Sequence, residues 1–221
     1  MTRGVEHKRW ARFCADEGGA AMVEFAIVSA VFFLAFFQLL GFGLFASTNL
    51  MAEKATQIAA RTAVVRPAVD WCAETPLPDR ITSSDPDLPE PPSFGTNCRN
   101  EAGTCTAVAE VSCTGVLANE GDLTTTDGEI WNRIAPMLPG ETGIDDLRFT
   151  YTFDPNLGYL GGPYTPMVTV ELTVPNETTE LFALISRLAV LAGGGDGFTG
   201  PQYRTISISL PAEDLNAGTG G

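Results

Sequence analysis

Gly19-Ala20-Ala21-Met22-Val23-Glu24-Phe25 leads into an apolar run that continues to Ala46. From Phe25 to Ala46 the chain holds 22 residues without a charge, and Gln38 is the only strongly polar one. At a rise of about 1.5 Å per residue such a helix spans about 33 Å, enough for a hydrocarbon core of about 30 Å. Glu24 stands where that helix would enter the bilayer. An ionisable group at such a place is costly and therefore marks a function. A cleaved secretory signal would carry a shorter apolar core of about 7–15 residues followed by a small-residue cleavage site. Here the run is longer and passes into Ser47-Thr-Asn-Leu-Met-Ala-Glu-Lys54, which reads as a helix continuing into water.

The helix is expected to run on through an Ala-rich stretch free of Gly and Pro, with Leu50, Ile58, Ala59, Thr62 and Val65 at roughly helical spacing. Pro67 then ends it, because proline lacks the backbone donor and disfavours helix at the residue before it. The layout that follows is a leader over 1–19, a transmembrane and stalk helix over 20–66, and an α+β domain over 67–221. A loop over 73–97 is expected inside that domain, since six prolines fall between Pro76 and Pro92.

Beyond the loop, strands are expected over 104–113, 147–153, 166–174 and 203–210, where apolar and polar residues alternate. Helices are expected over 127–138, with Asp127 as N-cap, and over 178–191. Gly-rich residues 158–163 turn the chain between strands. The fold class is α+β: the long N-terminal helix, then a small antiparallel sheet with one or two helices packed on one face.

The whole charge excess lies after the apolar run. Of 221 residues, the first 50 hold four basic and four acidic side chains, and the rest hold nine basic and 23 acidic. Nucleic acid and anionic headgroups need Lys/Arg patches, so neither is expected as a partner of that domain. Four basic residues precede the helix and Lys54, Arg61 and Arg66 follow it, which leans towards a cytoplasmic N-terminus. The cysteines favour the same side more firmly. Cys72, Cys98, Cys105 and Cys113 form an even set after the helix, with no Cys-x-x-Cys and no histidine among them. Two disulfides in an oxidising compartment are expected rather than a zinc site. Of the three connectivities, Cys72–Cys98 with Cys105–Cys113 is preferred.

No catalytic constellation emerges. His7 is the only histidine and precedes the helix, which leaves no Ser-His-Asp or Cys-His set after it. The acids give no marked carboxylate pair. Gly193-Gly-Gly-Asp-Gly197 lacks the ending of a phosphate loop, and Asn176-Glu-Thr178 is a short glycosylation triplet. Trp71, Trp131, Tyr159 and Tyr164 are weighed as core or loop anchors against a binding surface, and the first is the commoner case. No metal or other cofactor is implied.

The segment Gly19-Ala20-Ala21-Met22-Val23-Glu24-Phe25-Ala26, with the apolar run behind it, resembles TadE-like proteins of the tight-adherence (Flp, type IVc) pilus system. The likeness covers about residues 16–66. It implies a cut by a prepilin peptidase between Gly19 and Ala20, which leaves Glu24 fifth and Phe25 sixth. Asp16 and Glu17 depart from the basic leaders common in prepilins, and Gly18 offers a second cut that would place Glu24 sixth. The resemblance implies a minor pilin or pseudopilin, not an enzyme, with pilin and pseudopilin subunits, the tad pilus machinery and the membrane as partners. It implies an inner-membrane protein with a cytoplasmic N-terminus and a periplasmic C-terminal domain, incorporated in a surface pilus that serves adhesion. An uncleaved bitopic protein whose ectodomain binds a partner, and a membrane-anchored periplasmic hydrolase, stand as alternatives.

Overall fold

The computed structural model describes residues 19–69, 77–83, 93–100, 103–116, 124–175, 180–191, 201–213 and 215. The leader before Gly19, Trp71, Cys72, the prolines of 84–92, the triplet at 176–178 and the glycines at 193–197 lie outside the described residues. The elements are α1 (Ala20–Ala63), β1 (Val111–Thr114), α2 (Thr126–Ile134), β2 (Leu147–Thr152), β3 (Met167–Leu172), α3 (Glu180–Leu191) and β4 (Ile206–Pro211). A long N-terminal apolar helix is thus followed by a four-stranded antiparallel sheet with a few helices, an α+β architecture. The strands run in sequence order as a meander, β1-β2-β3-β4. The chain divides into two compact units: residues 1–46 with 178–201, and residues 47–177 with 202–221.

In the second unit, the alternation of β2 and β3 puts Leu147, Phe149, Tyr151, Val168, Val170 and Leu172 on one face, all fully buried. The register pairs Phe149 with Cys113 on β1 and with Val170 on β3. The opposite face carries hydroxyls in a row across all four strands, Ser112, Thr150, Thr169 and Ser209. They bond in pairs, Ser112 with Thr150 at 3.0 Å and Thr169 with Ser209 at 2.7 Å.

The C-terminal half of α1 belongs to this core, and its buried stripe matches the expected one only in part: Ala59 and Thr62 are buried and Ile58 packs on the core, but Leu50 and Val65 are not in it. Ala52, Ala55, Ala59, Ala60 and Ala63 are fully buried, whereas Leu50 is 66% exposed and Val65 43%. Small residues let a helix approach closely, so the seam follows size rather than apolarity. Thr56, also fully buried, donates its hydroxyl to the Ala52 carbonyl at 2.9 Å, and Thr62 donates to Ile58. Both hydroxyls are satisfied by the helix itself.

α2 adds Ile130 and Ile134 to the same core. Its N-cap is Thr125, whose side chain accepts from the Gly128 N–H, and not Asp127 as expected. Asp127 is instead fully buried and accepts from the Val116 N–H at 2.9 Å, a bond between the helix start and the strand exit of β1. Arg66 and Arg133 both pair with Glu129 at the surface, where such bridges contribute little.

The disulfide connectivity is corrected. Cys98 pairs with Cys105, with Cα atoms 5.3 Å apart. Cys113 is also disulfide-bonded, and not to either of these. The reason is spatial: Cys98 and Cys105 are buried together in a small loop cluster with Ile81, Leu160 and Tyr164, whereas Cys113 lies on β1 against the main core.

Tyr151 locks the connection after α1. Its hydroxyl accepts from the Val69 N–H at 3.1 Å, and both residues are buried. Burial pushes its pKa up to about 12, the Val69 bond opposes this, and Asp127 adds to the rise. Burial likewise raises Tyr164 to about 12. Both are acids that stay neutral in the fold, so their contribution is complete below pH 10 and is lost as the pH rises through 12. The thermal midpoint is therefore expected to hold to about pH 10 and then to fall, with a slope of up to about 1.4 kcal/mol per pH unit per tyrosine. Tyr151→Phe leaves the Val69 N–H unpaired at about 1–3 kcal/mol near neutrality, and flattens the alkaline fall. A midpoint unchanged from pH 9 to pH 11.5 in the unmutated chain would contradict this.

Candidate functional site

Gly19 stands immediately before α1, and its carbonyl accepts the Val23 N–H at 3.2 Å, so the helical ladder starts at this residue. A Cβ added to Gly19 would meet no atom within 4 Å, and its φ does not lie in the left-handed region. The fold therefore has no need of glycine here. Ala20 is the first helical residue. Glu24 lies one turn further on the same face, since residues four apart stack along a helix. Ala20, Glu24 and Phe25 are all exposed, Phe25 by 73%. The expected processing bond and the expected assembly residues thus lie within the first two turns of α1, all exposed.

Most of the apolar run is laid open as well. Ile27, Val31, Phe36, Leu39 and Leu44 are between 45% and 73% exposed. Phe32, Phe33, Phe36 and Phe37 touch one another with ring centroids 5.6 to 6.2 Å apart. A helix uncovered in this way is suited to lipid or to other helices. By length and composition α1 can cross a membrane.

A second site lies among the loops of the sheet unit. The segment 158–162 is held between two extended stretches. Ile81 donates to Gly162 and accepts from Gly161, while Leu160 accepts from Gly95 and donates to Thr96. Gly158 and Gly161 both have φ +80°, and a Cβ on either would collide with Ile81 or Phe94 respectively, so these two glycines are required. The result is a cavity of about 920 Å³ walled by Arg80 to Ser83, Phe94, Gly95 and 159–162. Phe94 and Tyr159 stand at its rim, 87% and 55% exposed, and Arg80 bonds the Gly161 carbonyl at 3.1 Å.

Of the aromatics weighed from sequence, Tyr164 is buried and Trp131 packs on the core as anchors, while Tyr159 faces the cavity. Phe94 and Arg80 were not singled out. Their meeting depends on a turn about 65 to 80 residues away, and the Gly-rich run at 158–163 is the one sequence signal that leads to it. Among the described residues no group of three or more His, Cys, Asp or Glu could hold a metal ion.

Residues 19–61 match the family described as TadE-like protein. The match begins at the glycine before α1 and ends inside the helix, short of the sheet. No curated protein and no solved structure matches the chain. The TadE-like segment points to a component associated with a tad pilus, and the apolar helix within it to membrane anchoring.

Proposed function

We propose that this chain is a minor pilin or pseudopilin of a tad-type pilus assembly and secretion system. It is stored in the inner membrane and cut after Gly19 by a prepilin peptidase. Its C-terminal domain projects into the periplasm and contacts other pilus components, and it catalyses no reaction. The observation that carries the reading is the position of Gly19, an exposed glycine immediately before the exposed apolar half of α1. The TadE-like match begins at the same residue.

The physical logic is one of release. A hydrophilic leader on the cytoplasmic side holds the helix in the bilayer. Removing it frees an amine at Ala20, and the apolar helix can then move into a bundle of like helices. There Glu24 loses water and needs a cation, which a neighbouring subunit's Ala20 amine supplies.

N-terminal sequencing of protein from membranes and from sheared pili tests the cut. A start at Ala20 is expected in both. A start at Met1 or Thr2 in both would leave an uncleaved bitopic protein and end the proposal. Gly19→Leu is expected to abolish cutting, seen as retention of the 19 residues, about 2 kDa of the 23.5 kDa chain.

A further inference from the structure

The sequence pattern expects α3 on the sheet, but the structure assigns it elsewhere. α3 falls in the same compact unit as residues 1–46. Phe182 is only 3% exposed and meets Phe42 of α1 edge to face, with ring centroids 5.5 Å apart. On the other side of α3, Leu184, Leu188 and Leu191 follow at spacings of four and three, which places them on one helical face. They are 54%, 47% and 84% exposed, and Val190 is 49% exposed. The helix is thus apolar on both sides, with one side seated on the span.

We infer that α3 is a second membrane contact, a helix lying at the bilayer surface whose Leu184–Leu188–Leu191 face is covered by lipid acyl chains. The occupant follows from continuity. Phe42 is part of the uncharged run that ends at Ala46, four residues on, and so lies about 6 Å inside it at about 1.5 Å per residue. Interfacial helices bury their apolar face to about 5–10 Å, the same depth. A helix held against Phe42 therefore meets the acyl region without any further partner. Arg187, exposed beside the leucines, has a stem long enough to keep its guanidinium among headgroups. The inference depends on α1 being in a bilayer and not on cleavage or assembly.

The test uses the full chain in phosphatidylcholine vesicles, with and without bromine at mid-acyl positions. Leu188→Trp and Leu191→Trp each place an indole on the leucine face, and the signal of the three native tryptophans is subtracted. Ser207→Trp on the outer face of β4 serves as the water-exposed control. The expected result is a blue-shifted added emission that brominated lipid quenches at least two-fold and aqueous iodide does not. Quenching by iodide at the level of the Ser207→Trp control would place the face in water and overturn the inference. A blue-shifted signal that neither reagent quenches would show protein covering the leucines, and would overturn it equally.

Discussion

Glu24→Ala is expected to leave the protein in the membrane at normal abundance and to remove it from sheared pili. The substitution adds apolarity to an already apolar helix, so insertion gains rather than loses. The cost falls at assembly. In a bundle of such helices the free amine of a neighbour's Ala20 would face hydrocarbon without its carboxylate. Breaking one partner out of a buried ion pair costs about 3–5 kcal/mol, which at about 1.4 kcal/mol per decade is about a hundredfold or more in the assembly equilibrium. Cutting at Gly19 should proceed in this variant, since the bond lies a full turn away. Quantitative blotting of membrane and sheared fractions, with N-terminal sequencing of the membrane form, checks both halves. Wild-type amounts of the variant in sheared pili would remove Glu24 from the assembly mechanism.

Phe149→Ala is expected to be the most damaging single change in the sheet unit. Phe149 is fully buried at the centre of the core face, opposite Cys113 and Val170. Truncating a buried phenylalanine costs about 3–5 kcal/mol, a large share of a total that is about 5–15 kcal/mol for ordinary domains. Thr150→Ala, the next residue but on the outer face, should cost no more than about 1 kcal/mol, the worth of its bond to Ser112. Denaturant midpoints of the two variants should therefore differ sharply. Equal losses would show that the sheet does not carry its core on the Phe149 face.

That contrast between neighbours was legible before any coordinates. Leu147 to Thr152 alternates so cleanly that both the strand and its buried face follow from periodicity. The same holds for the apolar run of α1, whose length and lack of charge define it. The inner half of α1 was less transparent. Periodicity selected Ala59 and Thr62, which are buried, but also Leu50 and Val65 because they are large and apolar, and it passed over Ala52, Ala55, Ala60 and Ala63, which packing selected. The cysteines failed for a related reason. Spacing along the chain does not reveal that Cys98 and Cys105 share one loop cluster while Cys113 sits on a strand of the other. The Arg80–Phe94–Tyr159 cavity was hidden because long-range loop pairing builds it, and α3 because a short apolar helix has the same pattern whether protein or lipid covers it. At the N-terminus Gly19, Ala20, Glu24 and Phe25 could be singled out together because they sit in one local run, and the structure leaves all four exposed. What the coordinates add is that the fold makes no claim on Gly19.

The alanine seam sets unequal rules for drift along a single helix. In the apolar half, Phe, Leu, Ile and Val stand largely exposed, so exchanges among them, Phe42 against Phe182 excepted, alter little that the fold can register. In the inner half, Ala52, Ala55, Ala59, Ala60 and Ala63 are fully buried, and overpacking a core costs about 1–3 kcal/mol for each intrusion. Substitution there is limited by volume, whereas substitution towards the membrane is limited by polarity. One continuous helix thus carries two separate alphabets, and the change of alphabet falls between Ala46 and Ala52.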